Sequence, residues 1–310
     1  MLLWLLLAGA LLLGLHFLLH RTLLRLPRCT SNVQLHGRTA VVTGSNTGIG
    51  KATAKELAQR GARVILACRD QRRAQAAVQE ITMETGNQQV IFMHLDLASL
   101  KSVRCFAETF LRTESRLDLV LGSDGFGMIF GVNHLGHFLL TVLLLDRLKA
   151  SGSGRVVTVA SIGHRYGKID FGCLTTHRDL AAGDSNYQLF QKYCDSKLCN
   201  VLFTYELARR LQGSGVCCYS LHPGIIKTEI GRNSSLWLRL LSVPFLPFLV
   251  DAESGAQTTL HCALEQGMEH LSGHYFSQCA PLLDVQAKAR DAAVAKKLWE
   301  LSERFCGLSL

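Results

Sequence analysis

Short apolar runs, each the length of one strand and each followed by a helical pattern, confine what this 310-residue chain can fold into. The runs are 39–43, 63–67, 90–95, 117–121, 155–160 and 216–221, and helical patterns such as 49–60, 99–112 and 186–211 lie between them. A strand with one wet face alternates apolar and polar residues, whereas these runs are apolar nearly throughout. They are expected to be parallel strands covered by helices on both faces. That makes the chain α/β, with a doubly wound parallel sheet of the Rossmann type. No internal repeat or second domain interrupts the pattern, so 37–310 is expected to be one domain, reached through a short linker at 29–36.

The first run opens directly into Thr43-Gly44-Ser45-Asn46-Thr47-Gly48-Ile49-Gly50 and then a helical pattern. The glycine spacing is G-x-x-x-G-x-G. A first glycine permits a tight turn, and the later ones let the backbone and the helix start approach a pyrophosphate, whose charge the helix N-terminus favours. Gly44, Ser45, Asn46, Thr47, Gly48, Ile49 and Gly50 are therefore candidate dinucleotide-binding residues. At the end of the second run, Arg69 stands about twenty residues past the turn, where an NAD site would carry an acid for the ribose. A guanidinium there suits the 2′-phosphate of NADP, although Asp70 next to it could bond a ribose instead. Asp96, after the third run, is placed to meet the adenine edge or to cap the following helix.

A second constellation lies far downstream, in Tyr193-Cys194-Asp195-Ser196-Lys197. Residues four apart share one face of a helix, so the Tyr193 hydroxyl and the Lys197 ammonium can reach the same ligand. A nearby cation favours phenolate over phenol, which suits Tyr193 to move a proton on or off an alcohol oxygen.

Residues 2–19 are almost wholly apolar, long enough as a helix for roughly 27 Å, close to the hydrocarbon thickness of a bilayer. No Lys or Arg precedes them, while Arg21, Arg25 and Arg28 follow. A cleaved signal peptide would carry its charge in front. The expectation is an uncleaved anchor helix with its basic flank at 1–28, on a membrane such as the endoplasmic reticulum, with the remainder cytosolic. The net charge of +9 is spread along the chain; without zinc-finger spacing or basic-aromatic interleaving it gives no nucleic-acid site. The eleven cysteines form no Cys-x-x-Cys pair and read as reduced core thiols. His134, His137, His164 and His222 lack partners at ligand spacing, so no metal is expected. Between Thr228 and Asp251 the chain turns apolar again, as a lid over a lipophilic pocket at 229–250, as a segment lying on the bilayer, or as helices packed on the core.

Val132-Asn133-His134-Leu135-Gly136-His137-Phe138, the segment Tyr193 to Asn200, His222-Pro223-Gly224, Gly255-Ala256-Gln257-Thr258 and Leu271-Ser272-Gly273-His274-Tyr275-Phe276 carry a resemblance. Together with the glycine turn they resemble the short-chain dehydrogenase/reductase superfamily, over nearly all of the chain from about Gly37, and its membrane-anchored retinol dehydrogenase branch in particular. The resemblance implies a catalytic tetrad of Asn133, Ser161, Tyr193 and Lys197. Ser161 would hydrogen-bond the substrate oxygen and Tyr193 would exchange a proton with it. Lys197 would hold the nicotinamide ribose, and Asn133 would fix a water leading from Lys197 to solvent. Pro223, Gly224 and Thr228 would close over the nicotinamide and its phosphates.

One departure stands out. Relatives place an Asn-Asn-Ala-Gly turn and a loop of about ten residues after the fourth strand, whereas here Leu121 is followed by Gly122-Ser123 and then Asp124-Gly125-Phe126. Two functions follow as expectations. The first is a membrane-anchored oxidoreductase moving hydride between NADP(H) and a lipophilic, retinoid-like alcohol or carbonyl, with a homodimer as one assembly open to it. The second is an impaired or silent member that keeps the fold for interactions.

Overall fold

The computed structural model describes residues 27–122, 129–175, 186–224 and 250–308. The expected anchor, most of the apolar stretch at 229–250, Thr228, and Ser123 of the short link after Leu121 together with 124–128 lie outside them. No described helix is long and apolar enough to cross a membrane.

The strands are β1 (Thr39–Thr43), β2 (Arg63–Cys68), β3 (Val90–His94), β4 (Leu119–Gly122), β5 (Arg155–Val159), β6 (Cys217–His222), β7 (Tyr275–Ser277) and β8 (Ala280–Pro281). They form one sheet in the order β3-β2-β1-β4-β5-β6-β7-β8, parallel throughout except for the final β7–β8 hairpin. The order reverses between β1 and β4, and the crevice outside the carboxyl ends of the strands at such a point is where this architecture binds ligands. Every residue of β1 and β4 is buried, which is why those runs show no alternation in sequence.

Neighbouring residues of each strand nevertheless serve opposite faces. Ala40, Val42, Val64, Leu66 and Tyr219 pack against α1 (Gly48–Gln59), α2 (Gln71–Thr85) and α6 (Ala252–Leu264). On the other side Val41, Ile65, Val120, Val156 and Cys218 pack against α3 (Leu100–Thr113), α4 (His137–Ala150), α5 (Asn186–Arg210) and α7 (Ala292–Phe305). Each large side chain so buried contributes about 1.5–3 kcal/mol. The helix starts are fixed by side-chain acceptors: Asp70 takes the Arg73 amide, Ser99 the Ser102 amide, Asp251 the Ser254 amide, and Asp291 those of Ala293 and Val294. The cap of α3 is thus Ser99, not Asp96.

Residues 29–36, read as a linker, are tied down. Cys29 N–H donates to Gln257 Oε1 at 3.0 Å, Ser31 Oγ to the Leu264 carbonyl at 3.1 Å, and Arg60 to the carbonyls of Ser31 and Val33. Leu35 joins the core. The polar composition of this stretch hides that packing, because its partners are distant in sequence.

Candidate active site

At the end of β1 the backbone takes up a shape that only glycine adopts cheaply. Gly44 and Gly48 have φ of +59° and +57°. Gly50 faces the turn so closely that a Cβ would stand 2.6 Å from the Gly44 carbonyl oxygen. The helix start is therefore pressed onto the turn. Ser45 is buried and its Oγ donates to the Val42 carbonyl at 2.7 Å, locking the turn to the strand. Thr47 precedes α1 in an extended conformation, and the first turn of α1 contains no acid to offset the positive end of the helix. These residues fit the pyrophosphate of a dinucleotide.

Arg69 is exposed at the end of β2. Asp70 is already engaged as the cap of α2, accepting from the Arg73 amide at 3.0 Å. Asp96 follows β3; its Oδ1 accepts from the Ala98 amide at 3.0 Å, and its own amide donates to Ser102 Oγ at 3.0 Å. Pro223 and Gly224 leave β6, and Gly224 takes φ +94°.

The second half of the site gathers at the ends of β5 and β6. Ser161 follows β5 and opens a 3₁₀ turn, Ile162–Tyr166; its Oγ accepts from the Gly163 amide at 3.1 Å. That leaves the hydroxyl proton to be donated elsewhere. Tyr193 stands across the same glycine: a Cβ on Gly163 would be 3.4 Å from Tyr193 Cε1 and 3.5 Å from Ser161 Oγ. Lys197, one turn on along α5, is buried; its Nζ lies 5.4 Å from the centre of the Tyr193 ring and donates to the Val159 carbonyl at 3.3 Å. Asn133 comes from a π-helical turn, Gly131–Gly136, that leads into α4. It is buried, its Nδ2 donates to Ser196 Oγ at 3.1 Å, and its Oδ1 has no hydrogen-bond partner. The turn lies close against the chain after β3, since a Cβ on Gly136 would meet the Leu97 carbonyl oxygen at 2.5 Å.

Sequence reasoning assigned no role to Ser196 or Asn200. Ser196 links Asn133 to the Tyr193 carbonyl, which its Oγ meets at 2.8 Å, and Asn200 donates to the same Val159 carbonyl as Lys197, at 3.4 Å. Asn200 is three residues past Lys197, so the helical spacing that singled out Tyr193 and Lys197 extends to it.

The histidines serve the frame. His134 bonds Ser302 Oγ at 2.8 Å, and burial depresses its pKa to about 3. His137 bonds Thr43 Oγ1 at 3.0 Å and the Val132 carbonyl at 3.1 Å, bracing β1 against α4 beside Gly122. His164 bonds the Ser161 carbonyl through Nδ1 at 2.7 Å, and burial lowers its pKa. Burial also depresses His222, to about 4. Cys194 is buried beside Tyr193, its thiol pushed up to about 11, so it is inert as a nucleophile. A cavity of about 920 Å³ opens at the amino end of the sheet among Arg38, Arg155 and Arg209, away from every candidate residue.

A dinucleotide cradle at the switch point and a serine, tyrosine and lysine at the adjoining strand ends define a nicotinamide-dependent oxidoreductase. Residues 38–173 match the family model described as short chain dehydrogenase. The chain is 49% identical over 292 residues to retinol dehydrogenase 12 of Homo sapiens, covering 90% of each chain. It is 48% identical to dehydrogenase/reductase SDR family member 13 of Bos taurus, covering 98% of this chain and 82% of that one. Among solved structures, an uncharacterised protein from Mycobacterium paratuberculosis superimposes with a TM-score of 0.68 at 34% identity, covering 92% of this chain and 98% of that chain. L-sorbose reductase from Gluconobacter frateurii, solved with NADPH and L-sorbose, shares the fold with a TM-score of 0.63 at 19% identity, over 79% of this chain and 95% of its own. The chain belongs to the short-chain dehydrogenase/reductase family of oxidoreductases, in its retinol dehydrogenase-like branch.

Proposed function

We propose that the protein reduces or oxidises a lipophilic, retinoid-like carbonyl or alcohol with NADP(H) while anchored to a membrane by residues 1–28, its catalytic domain cytosolic. The observation that carries the chemistry is the placement of Ser161 and Tyr193 on either side of Gly163, with Lys197 behind the tyrosine ring. Gly44, Gly48, Gly50 and the first turn of α1 would hold the pyrophosphate, and Arg69 the 2′-phosphate. Bound there, the nicotinamide supplies or accepts the hydride.

The chain's own residues handle the oxygen. In reduction, Ser161 donates a hydrogen bond to the carbonyl oxygen and Tyr193 delivers a proton as negative charge grows there. The Lys197 ammonium stabilises the charge left on the tyrosine. Asn133 supports resupply of that proton: its unpaired, buried Oδ1 suits a bound water between Lys197 and solvent. The retinoid-like substrate rests on the names of the relatives and on the apolar sequence at 229–250.

Coenzyme choice tests the cofactor assignment. Arg69→Ala should weaken NADPH by about 1.5–3 kcal/mol, the range for a hydrogen bond to a charged group, and leave NADH nearly unchanged in titrations of the purified protein. Equal losses for both coenzymes would remove Arg69 from the 2′-phosphate.

A further inference from the structure

Beside Ser161 and Tyr193 the surface is apolar where it would ordinarily be polar. Ile162 and Tyr166, on the 3₁₀ turn that Ser161 opens, are exposed, Tyr166 to 64%. Opposite them the first turn of α5 projects so far that Tyr187, Gln188, Leu189 and Phe190 are all exposed, Tyr187 to 73% and Phe190 to 52%. Gln191 Nε2 donates to the Tyr166 carbonyl at 3.0 Å, fixing the two pieces to each other. Single exposed apolar side chains are ordinary, but a cluster of five beside a reaction site marks a surface that meets something.

The position of Pro27 says what. Cys279 Sγ, in the β7–β8 hairpin, donates to the Pro27 carbonyl at 3.3 Å. Val159 of β5 pairs with Leu221, and Leu221 with Phe276 of β7, so the hairpin begins level with Ala160 and Ser161. Two strand spacings separate them, about 10 Å. The apolar sequence that ends before Pro27 therefore joins the fold at the end of the sheet that carries the catalytic pair. Arg28 and exposed Lys168 supply charge for anionic headgroups at that end. A second copy of the chain fits less well: five half-exposed side chains offer on the order of 500 Å², short of the roughly 800 Å² per partner of a stable interface.

We propose that the rim formed by Ile162, Tyr166, Tyr187, Leu189 and Phe190 docks on the lipid bilayer, so that the substrate passes from the acyl region to Ser161 and Tyr193 without crossing water. This rests on the reading of residues 1–28 as an anchor. Tyrosines and phenylalanine suit the boundary between headgroups and acyl chains, where one end of the ring is wet and the other dry.

The test uses the full-length protein in liposomes of phosphatidylcholine and phosphatidylserine, with and without bromine on the acyl chains. Phe190→Trp places a reporter in the rim, and Met83→Trp places one in the exposed last turn of α2, at the amino end of the sheet. After subtraction of the wild-type signal, brominated lipid should quench the Phe190→Trp reporter severalfold more than the Met83→Trp reporter. Phe190→Asp should raise KM for retinal dissolved in the bilayer several-fold and leave kcat for a short water-soluble aldehyde unchanged. Protein that fails to float with the vesicles would overturn the anchor and the docking together. Protein that floats with its rim reporter unquenched would overturn the docking alone, and a rim protected in a two-chain particle would assign it to a second copy instead.

Discussion

At the amino end of the sheet Asp118 is fully buried, accepts the Thr39 amide at 2.9 Å and is gripped by Arg116 at 2.7 Å, while nearby Glu114 takes Arg63 through both oxygens at 2.6 and 2.7 Å. At the carboxyl end Asn133 Oδ1, His164 Nε2, His222 Nδ1 and the Tyr275 hydroxyl are buried with no partner, and the glycine turn holds positive φ twice within five residues. A buried polar atom left unpaired costs about 1–3 kcal/mol, so the carboxyl end is held in a state that stability alone would not select. The two ends differ in kind: at the amino end Asp118 and Glu114 are paired with arginines and hold the sheet, although Glu265 Oε2 there is also buried without a hydrogen bond, whereas the open groups named at the carboxyl end flank the candidate site. Damage at the two ends should therefore show in different measurements.

The largest effect belongs to the carboxyl end. Tyr193→Phe should lower turnover about 10²–10⁴-fold, the usual contribution of a positioned acid/base, with NADPH affinity nearly unchanged. Lys197→Ala should damage both turnover and binding. A Phe variant keeping more than about a tenth of the rate, a loss below 1.4 kcal/mol, would show that Tyr193 is not the proton donor.

Next comes the pH dependence of stability. His222 is held at about 4 in the folded protein against an ordinary 6.5, so the unfolded chain binds its proton first as pH falls. Its contribution is complete above pH 6.5 and is lost between pH 6.5 and about 4, up to about 3 kcal/mol. His134, depressed to about 3 by burial, acts with the same sign. Denaturant midpoints measured from pH 7.5 to 4.5 should show a shallower decline in His222→Asn than in the wild type. Parallel slopes would mean that His222 is not buried neutral.

The smallest effect should appear at the amino end. Asp118→Ala leaves the Thr39 amide buried without an acceptor and frees Arg116, a loss of about 1–3 kcal/mol, or several degrees in Tm. Cofactor affinity and kcat of the folded protein at 25 °C should not change. A fall in kcat without a fall in Tm would break the division between the two ends.

Much of this was legible in the sequence. β1 matches its expected run residue for residue, and the glycine turn lies where strand meets helix, because short-range sterics set both. Tyr193 and Lys197 were singled out by helical spacing taken together with the glycine turn far upstream, and the structure places the Lys197 ammonium 5.4 Å from the Tyr193 ring centre. The identities of Asn133 and Ser161 came from resemblance, since nothing local ties Asn133 to Ser196, 63 positions away. α4 gives little helical period because Phe138, Leu139, Leu140 and Leu144 are all buried and its neighbours are apolar too. Asp96 and Ser99 are equally good caps by composition, and only the backbone geometry chooses Ser99. β7 and β8 are too short to leave a pattern. The shortened link after Leu121 leaves β4 paired with both β1 and β5 through Leu121, and Gly122 still pairs with Thr158.

The central claim is that the carboxyl end is a working site in the chain as it stands, short link included. Purified full-length protein loaded with NADPH and mixed with all-trans-retinal in a single turnover tests it most directly, with NADPH loss and retinol formation followed together. The account predicts saturable NADPH binding and one retinol formed per NADPH oxidised, both steps surviving Asp118→Ala and the chemical step failing in Tyr193→Phe. NADPH that does not bind, or that binds and is not consumed by retinal or any other lipophilic aldehyde tried, would contradict it and leave a protein that keeps the fold without the reaction.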